Sequence, residues 1–202
     1  MKAKKRIIIA LFLLCVCLML NGQTIAKKQN WRIHGGLTMS NVYGDDVKAK
    51  KDAEHKFDPI FSGGGGVSFV GLPQFNVEHF IVYFDIGTRF INRGFIEKFP
   101  EGDPTPTKTT YISSFDILGR LHYGMEVLSI FVGSGIAIVP FTEYYNEINI
   151  PLTFGTEFKL QPNWSLFIEG DVILEDFPKK GVYSDFEKVN SISWLFGLGY
   201  LF

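Results

Sequence analysis

The sequence is poor in cysteine, in proline and in long apolar runs. Its two cysteines, Cys15 and Cys17, both lie near the amino terminus. The rest of the chain therefore offers no disulfide framework, no cysteine metal site and no cysteine nucleophile. No apolar stretch reaches the roughly 18 to 20 residues that a spanning helix needs, which excludes a helical membrane protein.

Glycine and phenylalanine are abundant instead. The 202 residues include 21 glycines and 20 phenylalanines but only nine prolines, and the mean hydropathy is +0.12. Hydrophobic residues make up 46%, which excludes a disordered chain. Glycine at this level without a collagen period, together with 15% aromatics, points to a β protein with crowded strands.

The first 26 residues have the pattern of a secretory signal peptide. Four positive residues between positions 2 and 6 precede an apolar run over 7–20, and small residues follow at Gly22 and Ala26. The run is too short to span a bilayer, which favours cleavage near 22–26 over an uncleaved anchor helix. Cleavage lowers the formal net charge from −1 to about −5, because four positive and no negative residues are lost. An acidic mature domain, 27–202, argues against a nucleic-acid partner.

The mature chain alternates between apolar and polar residues with a period of two. In the first run, Trp31, Ile33 and Leu37 alternate with Arg32 and His34. This period predicts strands, and no helical period competes with it. Strands of about ten residues suffice to cross a bilayer at a tilt. Eight such runs occur, at about 31–40, 61–70, 80–93, 111–123, 128–138, 148–159, 164–175 and 192–202.

The connections between these runs alternate in length. The long polar ones are 41–58, 92–109, 139–147 and 175–188, and the short ones are 71–78, 124–126 and 160–163. Outer-membrane barrels show this alternation, with long extracellular loops and short periplasmic turns. The sequence therefore predicts an all-β, eight-stranded antiparallel up-and-down transmembrane β-barrel with both termini on the periplasmic side.

Alternation alone does not tell which face points outward, because a lipocalin-like soluble barrel alternates too. The apolar face is dense in Phe, Trp and Tyr, which the interior of eight strands could hardly accommodate. Charges of both signs on the polar face would form an ion-paired interior. Aromatic residues near strand ends suit an interfacial girdle, namely Trp31, Tyr111, Tyr123, Trp164 and Tyr200.

We therefore expect a lumen charge network and a lipid-facing exterior. Two adjacent acids on one face, Glu169 and Asp171, need a cation nearby, for which Arg89, Arg120 and Lys159 are candidates. The predicted network comprises Arg32, Asp85, Arg89, Asp116, Arg120, Glu157, Glu169 and Asp171.

The last strand and several inner motifs carry a resemblance. Apolar residues at every second position up to the terminal residue, including Trp194, Phe196, Tyr200 and Phe202, resemble the signal read by the barrel-assembly machinery. The opening strand IHGGLTMSNVY (33–43), with YFDIGTRFINRG (83–94) and IFVGSGIAIVP (130–140), resembles the porin-like outer-membrane β-barrel family that includes the PorT-like proteins. This resemblance implies a Gram-negative outer-membrane location.

The sequence shows no motif that is typical of a catalytic or cofactor-binding site. A lipid deacylase would need a His and a Ser within hydrogen-bond reach. His34 and His122 instead point inward by parity, whereas His55 and His79 fall in or beside connections. We expect no catalytic, cofactor or metal site; Asp45 and Asp46 lack calcium-loop spacing.

The leading function is thus a non-enzymatic outer-membrane barrel with a plugged, charged lumen. It would serve a structural, anchoring or partner-binding role through its long extracellular loops. Its expected partners are outer-membrane lipid and lipopolysaccharide, the assembly machinery and an unidentified protein. The alternatives are a narrow conduit or accessory of a transport or secretion machine, and a lipid-modifying enzyme.

Overall fold

The computed structural model describes residues 30–77, 80–104, 106–125, 127–140, 145–173 and 188–202. The predicted signal peptide, 1–26, lies outside the described residues. The elements in chain order are β1 (Asn30–Tyr43), α1 (Asp45–Asp52), β2 (Lys56–Val77), β3 (Phe80–Lys98), β4 (Thr107–Gly124), β5 (Leu128–Ile138), β6 (Ile148–Asn149), β7 (Pro151–Lys159), β8 (Trp164–Ile173) and β9 (Asn190–Leu201).

The strands close into a ring. Each pairs antiparallel with its neighbours, and β1 pairs with β9 over its length to close the barrel. β6 and β7 both pair with β5 in one register, because Ala137 faces Asn149 and Ser134 faces Leu152. β6 and β7 therefore form one interrupted strand, and the ring consists of eight strands. The predicted eight-stranded antiparallel up-and-down β-barrel is confirmed.

The two ends of the barrel differ. The strand ends that border the short intervals 78–79, 125–127 and 160–163 lie at the end of the barrel that also holds residues 31 and 202, where the Phe202 amide donates to the Trp31 carbonyl (2.8 Å). We call this the terminal end. The strand ends that border the longer intervals, 44–55, 99–106, 139–147 and 174–189, lie at the opposite, loop end. The alternation of connection lengths follows the predicted order.

Several strands are longer than predicted, most of all β2, β3 and β4. β2, β3 and β4 have 22, 19 and 18 residues. The connection between β3 and β4 therefore covers 99–106, whereas the predicted loop covers 92–109. The β2–β3 register shifts between Pro59 and Gly64 and again between Val70 and Gln74. Such bulges break the period-two pattern while the hydrogen-bonded ladder continues, so the pattern ends before the strand does.

The described residues include one short helix, α1, which the period-two pattern did not predict. This eight-residue helix has one buried residue, Val47. A single apolar contact gives no helical period, so its stability comes from packing against the barrel. No helix in the described residues has both the length and the apolar character needed to cross a membrane.

The outward face of the barrel is apolar. Leu37 and Phe61 are 69% and 68% exposed. Soluble monomers rarely expose contiguous apolar patches above a few hundred Å². Other exposed residues of this face are Ile33, Val67, Ile86, Phe90, Phe115, Ile117, Leu121, Ile130, Val132, Ile136, Phe154, Phe158, Leu166, Phe196 and Leu198.

Aromatic residues mark both edges of this apolar belt. At the terminal end the ring of Tyr200 lies 4.9 Å from that of Trp164 and 5.0 Å from that of Phe202. Trp31 and Tyr123 lie at the same end, at the start of β1 and the end of β4. Tyr111, by contrast, lies near the loop end of β4.

Candidate functional site: the charged interior

The eight residues of the predicted lumen network all lie inside the barrel. Their exposed fractions range from 0% to 9%. The cause is the period of two, which sends every second side chain of each strand toward the axis. Buried charges at this density are stable only when they are paired and hydrogen-bonded.

Arg89 is the centre of the network. Its Nε donates to Asp116 (2.9 Å), and its two terminal nitrogens also donate to Glu169 and Asp171. Arg93 lies four residues further along β3, toward the loop end. It donates to Asp116 (2.8 Å), to Asp171 (2.7 Å) and to the Ser114 hydroxyl.

A second group lies toward the terminal end. Arg120 joins the two groups, since it donates to Asp85 (3.0 Å) and to Glu169 (2.8 Å). Asp85 also lies 3.0 Å from His122 Nε2.

Near the terminal mouth, Glu157 receives two partners. Arg32 forms an ion pair with it at 3.1 Å, and the Tyr83 hydroxyl donates to it at 3.2 Å. The Tyr83 ring stacks on His122 with centroids 4.4 Å apart. Ion pairs and hydrogen bonds therefore run as one connected set from Arg32 to Arg93.

The predicted set was incomplete. Arg93, His122, Tyr83 and Ser114 belong to the connected set although the predicted network omits them; strand parity already placed Arg93 and His122 inward. Lys159, named as a possible cation for the acids of β8, is exposed at the end of β7 and serves no such role.

Glycines on neighbouring strands make room for the arginines. Gly66 pairs with Arg89, and Gly133 pairs with Arg120. A β-carbon on Gly133 would lie 2.5 Å from Arg120 Cγ, and one on Gly66 would lie 2.8 Å from Arg89 Cβ. The inward-facing glycines are thus the positions that allow large cations in a narrow barrel.

This spacing gives a testable expectation for Gly133→Val. The added β-carbon would lie 2.4 Å from the Gly119 carbonyl oxygen and 2.5 Å from Arg120 Cγ, so the β4 backbone and the Arg120 side chain must both shift. We therefore expect a loss of about 1–3 kcal/mol in the free energy of unfolding. Gly63→Val is the matched control, because Gly63 faces outward and its nearest neighbour would be 3.9 Å from the new β-carbon. Urea unfolding in lipid vesicles measures both; equal losses would contradict the role assigned to Gly133.

Two apolar clusters close the interior at the loop end. The first cap cluster consists of Val42, Val47, Phe57, Phe95 and Val189. The second cap cluster consists of Ile112, Ala137, Val139 and Ile173, with Tyr145 packed against it. Val42 and Phe95 continue the inward-facing positions of β1 and β3, so the clusters lie over the mouth and not on the outward apolar face.

Several buried polar atoms have no hydrogen-bond partner among the residues that the structure describes. Both ring nitrogens of His34 and the hydroxyls of Ser68 and Thr153 belong to this group. His34 meets the edge of the Phe167 ring instead, with centroids 5.5 Å apart. Buried polar atoms of this kind are normally satisfied by ordered water.

The other residues considered for chemistry have structural contacts. His55 Nδ1 lies 2.8 Å from Glu97 Oε1 at the loop end, and His79 lies outside the described residues. Asp46 accepts a hydrogen bond from the Lys188 amide (2.6 Å). Within the described ranges, no group of His, Cys, Asp and Glu side chains is placed to hold a metal ion.

No protein-family model and no curated protein matches the chain. The solved structures to which the chain is similar include three outer-membrane or surface proteins. Ail, the attachment invasion locus protein of Yersinia pestis, is 12% identical over 87% of this chain and 100% of its own, with a TM-score of 0.47. Neisserial surface protein A is 8% identical over 84% of this chain and 96% of its own, with a TM-score of 0.44. OprG from Pseudomonas aeruginosa is 14% identical over 87% and 97%, with a TM-score of 0.42. At these identities and scores the similarity concerns strand arrangement alone.

Proposed function

We propose that the protein is an integral outer-membrane β-barrel that anchors its loop end at the cell surface. The observation that carries this proposal is the distribution of side chains: ion pairs fill the interior, and an apolar belt bounded by aromatic residues covers the exterior. A soluble ligand carrier requires the reverse, an apolar cavity inside a polar surface. Hydrocarbon is the environment in which such an exterior is stable.

We further propose that the barrel is not an enzyme and that its lumen is closed. Arg89 and Arg93 cross the interior to acids on β4 and β8, and the two cap clusters cover the loop end. Eight strands leave an interior just wide enough for side chains. The role would then fall to the loops, through structural, anchoring or partner-binding contacts with an unidentified protein.

Secretion and assembly complete the proposal. Residues 1–26 would direct export and be removed, and the last strand would be read by the barrel-assembly machinery. Trp194, Phe196 and Tyr200 lie on the outward face of β9, and Phe202 is 62% exposed. The belt would contact outer-membrane lipid and lipopolysaccharide. A PorT-like affiliation remains part of this proposal and is supported by the pattern of the opening strand.

A narrow conduit is the second candidate. The unpartnered atoms of His34, Ser68 and Thr153 favour it, because water that satisfies them would hydrate part of the interior. Residues of both cap clusters would then have to move aside at the loop end.

Folding and conductance measurements test the proposal together. We expect the mature chain to fold only with detergent or lipid, and we expect no discrete conductance in planar bilayers. A folded, soluble protein in plain buffer would contradict membrane insertion. Stable single-channel openings by the purified protein would instead support the conduit. An altered lipid A after over-expression would revive the lipid-modifying enzyme.

A further inference from the structure

The helix in the first loop, α1, makes polar contacts with the barrel near both of its ends. At its start, Asp46 accepts a hydrogen bond from the Lys188 amide (2.6 Å), just before β9. At its end, Lys50 Nζ lies 3.0 Å from Glu97 Oε1 on β3. The helix thus bridges the loop end from β9 to β3, over the mouth of the barrel.

Val47 is the only apolar side chain of α1 that is buried in the mouth. Val47 is 2% exposed and packs in the first cap cluster, whereas its neighbours Lys48 and Ala49 are exposed. Each buried aliphatic side chain contributes only a small part of the stability of a domain. Removing this one contact therefore costs far less than opening a strand pair.

The second attachment depends on one carboxylate. Glu97 is 2% exposed, and its Oε1 atom receives both Lys50 (3.0 Å) and His55 Nδ1 (2.8 Å). His55 also meets the ring of Phe99, with centroids 5.1 Å apart. Lys50 belongs to the helix and His55 to the segment that follows it, whereas Glu97 belongs to β3. Loss of the Glu97 charge would thus release the whole carboxyl-terminal side of α1 at once.

The backbone on both sides of the helix adopts positive φ angles. Gly44, which precedes α1, has φ 133°, and Glu54, which follows it, has φ 66°. Non-glycine residues rarely occupy this region, and a change of a few such dihedrals is enough to swing a rigid segment. Positions 44 and 54 therefore bracket α1 as two hinge points.

We propose that α1 is a hinged lid, held shut by Glu97, that uncovers the loop-end mouth when this contact is released. In the open state the remaining members of the first cap cluster, Val42, Phe57, Phe95 and Val189, become accessible from outside. The lid adds a conformational change to the proposed function. Its opening does not depend on whether ions pass through the deeper interior of the barrel.

Thiol labelling can test the lid directly, because Cys15 and Cys17 are the chain's two cysteines. In a Cys15→Ser, Cys17→Ser background, Val42→Cys places a reporter beneath α1, where Val42 is 6% exposed. Ser193→Cys places a second reporter deeper in the barrel, at 0% exposure. The probe is a water-soluble maleimide, applied to protein folded in lipid vesicles.

Glu97→Gln should raise the labelling rate at position 42 at least tenfold and leave position 193 unchanged. Asp58→Asn is the matched control, since it removes the acid of an exposed ion pair between Asp58 on β2 and Lys98 on β3; it should leave both rates unchanged. If Glu97→Gln fails to fold, Lys50→Met combined with His55→Gln removes both partners of Glu97 instead. An unchanged rate at position 42, or an equal rise at 193, would overturn the lid.

Discussion

Replacing Arg89 by methionine should lower the free energy of unfolding by about 3–5 kcal/mol. Arg89 is 1% exposed and is the shared partner of Asp116, Glu169 and Asp171. Its removal leaves Arg93 and Arg120 to balance carboxylates that remain buried. The size of the loss reflects these uncompensated charges and not the net value of the ion pairs, because desolvation offsets much of their attraction.

Urea unfolding in lipid vesicles, followed by tryptophan fluorescence, measures this loss. Lys98→Met is the control, since the Lys98–Asp58 pair is exposed on both sides and should contribute at most about 1 kcal/mol. Losses of similar size in the two variants would mean that the interior is hydrated enough to screen its charges.

Ile117→Arg should destabilise the barrel in lipid by about 2–4 kcal/mol. Ile117 is 42% exposed on the outward face of β4, midway between Tyr111 and Tyr123. If those tyrosines mark the two interfaces, residue 117 lies near the centre of the hydrocarbon. An arginine there cannot reach water without deforming the bilayer.

The same substitution beyond the belt provides the comparison. Thr109→Arg lies on the same strand and face, two residues past Tyr111 toward the loop end, and should cost about 0–1 kcal/mol. Folding yield and urea midpoints in vesicles compare the two variants. An equal cost at 109 and 117 would remove the lipid-facing assignment even if the barrel still folded.

Much of the fold could be predicted from the sequence, because a strand's period of two assigns every side chain to one face. Arg32, Asp85 and Glu157 lie inside for this reason alone. The strand order also follows, since short connections allow only antiparallel neighbours. The bulges near Pro59 and Gly71 could not be predicted in the same way, as they interrupt the period on which the prediction depends.

The sequence alone could not predict which acidic and basic side chains pair with each other inside the barrel. Parity places Arg93 and Asp171 in the interior, but only the stagger of the strands decides that they meet across it. Glu97 was missed because residues 92–109 were expected to be a loop. Once β3 extends to Lys98, the same parity sends Glu97 inward, to the place where Lys50 and His55 contact it.

The loop-end edge of the barrel is uneven around the barrel axis. β2, β3 and β4 have 22, 19 and 18 residues. β4 pairs with β3 from Thr107 onward but with β5 only from Phe115 onward, so the first eight residues of β4 extend beyond Ile138, the last residue of β5. β2 and β3 extend alongside them, to Lys56 and Lys98. A partner that approaches the loop end from this flank would therefore meet a rigid, hydrogen-bonded sheet, so the rotation of the barrel about its own axis matters for such an encounter.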